Sequence, residues 1–105
     1  MFRKVLDGGS KWVINRIIKE FGKMLKFEVD SKNKTIYALL ELKGENEPVE
    51  IKISGYEIVK ENEEYYFTMS DISVSKEWME ILAKEYLHKK IKVPLKLIPF
   101  IKVLL

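Results

Sequence analysis

The chain contains no cysteine and no glutamine, and it has one histidine, three prolines and five glycines in 105 residues. Without cysteine there are no disulfides, no thiolate catalysis and no sulfur-ligated zinc. No glycine-rich phosphate loop, histidine–aspartate ligand spacing or nucleophile elbow is present. The sequence therefore calls for no metal, no cofactor and no catalytic residue. It also lacks a run of about 20 apolar residues, the length a membrane-spanning helix needs. Met1–Leu6 is basic, but Asp7-Gly-Gly-Ser follows where the apolar segment of a secretory leader would begin. The expected location is the cytoplasm, with contact at a membrane surface as a variant.

What remains is an ordinary globular composition, 47% hydrophobic and 33% charged. It predicts one domain, residues 1–105, with a single core. The charges are mostly Lys and Glu, which with the missing glutamine resembles thermophile usage. They are unevenly placed. Residues 1–26 carry seven bases and two acids, residues 27–87 seven bases and fourteen acids, and residues 88–105 five lysines and no acid. Basic ends flanking an acidic middle suit either plain solubility or an anionic partner at the ends.

The periodicity predicts an α+β fold in the order α-β-β-β-β-α. Ser10 is placed to cap a helix to Lys26 whose stripe is Val13, Ile14, Ile17, Ile18, Phe21, Met24 and Leu25. Residues 1–9 form a flexible arm ahead of it. Four strands follow: Phe27–Asp30, Thr35–Lys43, Pro48 to about Lys60, and about Tyr65 to Val74. Short turns make this a four-stranded antiparallel meander, flanked by an N-terminal and a C-terminal helix. Ser75 is placed to cap the second helix, running to about Lys90, with Trp78, Ile81, Leu82 and Tyr86 as its packing stripe and Met79 and Leu87 at the margin. Residues 91–105 form an apolar tail broken by Pro94 and Pro99.

The third and fourth strands change parity at one place. Val49, Ile51 and Ile53 give way to Tyr56 and Ile58 after Ser54-Gly55, and Tyr65, Phe67 and Met69 give way to Ile72 and Val74 after Ser70-Asp71. Side chains alternate faces along a strand, so such a switch moves the apolar set to the other face. With Glu61 opposite Glu64, Ile58 meets Phe67, Tyr56 meets Met69, Ile53 meets Ile72 and Ile51 meets Val74. With Lys43 opposite Pro48, Leu42 meets Val49 and Glu41 meets Glu50, a like-charge penalty that a shift by two residues removes. Helices then cover the front face. A back patch remains: Tyr37, Leu39, Tyr56, Ile58, Tyr65, Phe67 and Met69. Each such side chain gains roughly 1.5–3 kcal/mol on burial, so the patch calls for a cover. The candidates are the tail, the second helix, a second copy of the chain, a lipid-like ligand and another protein. Within the tail, Leu95, Leu97, Ile98, Phe100 and Ile101 are the candidate contacts.

His88, Asp71 and the turn glutamates read as solvated or turn-forming groups rather than chemistry. Tyr65-Tyr66-Phe67 has the aromatic character of an RNA-stacking sheet, but the acidic middle repels phosphate. The stretch Lys26–Pro94, with its Lys43-Gly44-Glu45…Glu47-Pro48 hairpin and Gly55-Tyr56-Glu57 bend, resembles small bacterial α+β domains of unknown function. More remotely, a helix wrapped by a long meander is similar to half of a tubular lipid-binding module. That resemblance implies an apolar ligand and assigns no residue a role. The expected function is a non-enzymatic domain making an apolar contact, by self-association or with a lipid-like ligand, through the back patch and the tail. The alternative is a nucleic-acid-binding module that uses the basic ends.

Overall fold

Apolar residues recur at every second position through most of the stretch from Phe27 to Val74, and this period builds a mostly β structure. The computed structural model describes residues 4–5 and 19–105. Its strands are β1 (Lys4–Val5), β2 (Gly22–Asp30), β3 (Thr35–Leu42), β4 (Val49–Ser54), β5 (Glu57–Glu61), β6 (Glu64–Thr68), β7 (Asp71–Val74) and β8 (Ile91–Lys92). Four long strands in the order β2-β3-β4-β7 form one sheet, extended at the β2 edge by β1, and β5-β6-β8 form a second. All pairs are antiparallel. Helix α1 (Glu77–Lys84) follows β7. A 3₁₀ helix (Leu95–Phe100) and one helical turn, α2 (Ile101–Leu104), come last.

The expected four-stranded meander between two terminal helices is thus overturned in favour of two antiparallel sheets. The N-terminal helix fails first. Its residues 10–18 lie outside the described residues, but Gly22–Lys26 belong to β2. Leu25 is the extra residue of a β-bulge between Met24 and Lys26, which puts Met24 on the same face as Phe27 and Val29. That i, i+3 spacing imitates a helix. Gly22 is also a packing requirement, because a Cβ there would sit 2.1 Å from the Glu41 carbonyl oxygen. Lys4 and Val5, expected in a free arm, pair with Val29 and Glu28.

The second departure is the parity switch. Rather than exposing two apolar faces of one sheet, both long strands leave the first sheet there and continue in the second. Gly55 turns the corner at φ +64, a left-handed conformation that favours glycine, and a Cβ on it would meet Ser70 Oγ at 2.5 Å. Across the bend the Ser70 N–H donates to the Ser54 carbonyl at 3.1 Å, and the Ser70 hydroxyl to the Gly55 carbonyl at 3.2 Å. On either side the pairing is as the apolar pattern predicts: Ile58 with Phe67, Glu61 with Glu64, Ile53 with Ile72 and Ile51 with Val74. Asn62 and Glu63, both at positive φ, make the two-residue turn. Between β3 and β4 the register is the one shifted by two: Leu40 faces Val49, and Glu50 faces Leu39 rather than Glu41.

The two sheets close on a shared interior. Val49, Met69, Ile72 and Val74 form one buried cluster, with Met79, Ala83 and Leu87 of the α1 region and Ile91 of β8 against it. Val29, Ile36 and Tyr56 form the other, capped by Leu104. Tyr56 is fully buried; its ring stacks on Phe67 at 5.9 Å and 15°, and its hydroxyl donates to the Leu104 carbonyl at 2.5 Å.

Gly55→Ala is expected to cost about 1–3 kcal/mol in chemical denaturation, from backbone strain plus the clash. The same change in a Ser70→Gly background should cost less than it does in the wild type, since the clash is gone. Tyr56→Phe leaves the Leu104 carbonyl without its donor and should cost about 0.5–1.5 kcal/mol in the same measurement.

Candidate functional site

The corner separates the residues expected to share the back patch. Tyr56 and Met69 are core residues, and Ile58, Tyr65 and Phe67 are partly buried and share their strand parity. Tyr37 and Leu39 point from the opposite, outer face of the first sheet. The seven therefore form no continuous exposed patch. In the tail, Ile101 is buried and Leu97 and Ile98 are half-buried, while Leu95 is 83% exposed. The side chain of Phe100 lies outside the described residues. Part of the tail thus covers its own core, through the Leu104 carbonyl over Tyr56.

The outer face of the first sheet is a shallow depression of about 600 Å³ lined by alternating charges. Lys26 lies 3.5 Å from Glu28, and Lys52 lies 3.5 Å from Glu50. The Tyr37 hydroxyl donates to Glu50 Oε2 at 2.8 Å. This bond lowers the Glu50 carboxyl below its ordinary pKa and raises the Tyr37 phenol above its own. A similar group ties β8 to β6: Glu64 takes bonds from Lys92 and Tyr66, which hold its carboxyl below the usual range. These groups neutralise one another on wet strand faces. Among the described residues no group of three or more His, Asp or Glu side chains is placed to hold a metal ion.

An apolar surface does stand open, on α1 and the turn that follows it. Trp78, Ile81, Leu82 and Tyr86, the expected packing stripe, are exposed by 56%, 60%, 52% and 54%. Met79, Ala83 and Leu87 pack on the core instead. The rotation has a local cause. Glu80 Oε1 accepts the Val74 N–H at 2.9 Å, which turns position 80 toward the sheet and carries 76, 79 and 83 with it. Ser75 is not the helix cap. Its hydroxyl accepts the Glu50 N–H and its own N–H donates to the Glu50 carbonyl, each at 2.9 Å, extending the strand pairing by one residue. The helix stops at Lys84 rather than Lys90. His88 adopts a left-handed φ of 63° and donates its N–H to the Met69 carbonyl at 3.1 Å, turning the chain toward β8. Apolar spacing could locate this stripe; only the Glu80 and Ser75 bonds decide which way it faces.

No described helix is long and apolar enough to cross a membrane. Compared with known proteins, the chain matches no protein family, no curated protein and no solved structure.

Tyr37→Phe is expected to move the Glu50 titration upward, followed by carboxyl NMR. The sign follows from a depressed carboxyl. Its contribution to stability is present above the unfolded-state pKa and is lost as pH falls through the depressed folded value. The variant should therefore lose less stability than the wild type over that acid window.

Proposed function

We propose that the chain is a non-enzymatic binding module whose working surface is the outward apolar face of α1. The observation that carries this reading is the exposure of four large apolar side chains, three on one short helix and Tyr86 in the turn after it, each more than half open. Isolated surface apolar residues need no explanation, but a contiguous group with a tryptophan and a tyrosine has the composition of an interaction site. The helix is firmly held from behind by Met79, Ala83 and Leu87 and by the Glu80–Val74 bond, so the face is presented on a rigid support. Trp78 and Tyr86 add large contact area with little side-chain entropy to lose, and each keeps a polar atom for orientation. The apolar contact expected from the sequence is retained in this reading; its seat moves from the sheet to the helix.

The wild-type chain should show concentration-dependent mass in sedimentation, or co-sediment with vesicles of phosphatidylcholine and phosphatidylglycerol. An Ile81→Glu/Leu82→Glu variant should lose that behaviour while unfolding within about 1 kcal/mol of the wild type, as surface changes do. A wild type that does neither, or a variant that still does what the wild type did, overturns the proposal.

A further inference from the structure

Resting on that reading, we infer that the occupant of the α1 face is a second copy of this chain, packed antiparallel across a two-fold axis that passes between Ile81 and Leu82. The argument comes from the acids on the face. Trp78, Ile81, Leu82 and Glu85 fall on one side of the helix, and Glu85 keeps helical dihedrals (φ −66, ψ −18) as the residue that closes it. Glu77 opens the helix and Tyr86 lies in the turn after it, both exposed. A lipid surface fits this pattern poorly: Glu85 lies among the residues that would insert, and both acids oppose an anionic leaflet.

A copy of the same helix fits it in one register. Antiparallel pairing about the Ile81–Leu82 midpoint sets Ile81 against Leu82 of the second copy and Trp78 against its Glu85. The indole N–H is a donor with no acceptor function, and the carboxylate of Glu85 in the second copy is the acceptor it needs. The contact is isologous, so every pairing occurs twice. Antiparallel packing also carries Glu77, in the acidic first turn, to the flank of the other helix on which Lys84 lies.

Sedimentation of the full chain over a range of concentrations near neutral pH tests this. A monomer–dimer equilibrium is expected. Ile81→Glu should raise its dissociation constant by at least about a hundredfold, because the charge is introduced twice at the axis. Glu85→Gln keeps an acceptor for the indole and should stay within a few-fold of the wild type. Glu85→Lys removes the acceptor and should weaken the dimer by at least about tenfold. A wild type that stays monomeric but binds the vesicles through Ile81 overturns the second copy and leaves the α1 face as the working surface. So does a dimer lost in Ile81→Glu but indifferent to Glu85→Lys, which overturns this register. A dimer unaffected by Ile81→Glu, with no vesicle binding, overturns the inference and the reading beneath it.

Discussion

Tyr56 lies where the long hairpin leaves one sheet for the other. Its ring fills the space under the corner, against Val29 and Ile36 of the first sheet and stacked on Phe67 of the second. A phenol without a partner there would carry a desolvation cost of about 1–3 kcal/mol, so the hydroxyl needs an acceptor from within the fold. The Leu104 carbonyl supplies it. One side chain therefore couples the two sheets and the C-terminal turn, and burial raises its phenol pKa as expected for so dry a site. Gly55 makes the arrangement possible, since a side chain at the corner would collide with Ser70.

The exposed face of α1 adjoins the same corner. β7 is the edge strand of the first sheet, and α1 packs back over that edge beside Met69 and Val74. An eight-residue helix at a sheet edge can bury only one narrow side. The core takes Met79, Ala83 and Leu87, and the larger apolar residues are left outside. Ion pairs tie the second sheet together at its margins, Lys90 with Glu61 and Lys92 with Glu64, though exposed pairs of this kind contribute little each.

Much of the β structure was legible in the chain. The alternation from Val49 to Val74 located the strands, and matching apolar residues across Asn62-Glu63 gave the hairpin register observed. The parity switch was visible too, but its meaning was not. Parity says that side chains change face relative to their own strand; it does not say whether the strand itself turns. Leu25 hid the start of β2, because one bulged residue converts a strand's period into the spacing of a helix. On α1 the largest apolar residues were expected to face inward, as their size and spacing alone would have it. Hydrogen bonds that Glu80 and Ser75 accept from strand backbone N–H groups outweighed that preference.

The bond between Tyr56 and Leu104 spans 48 residues. The last helical turn and the sheet corner are therefore one closure rather than two: whatever frees Leu104 from Tyr56 also opens the seam between the sheets to water.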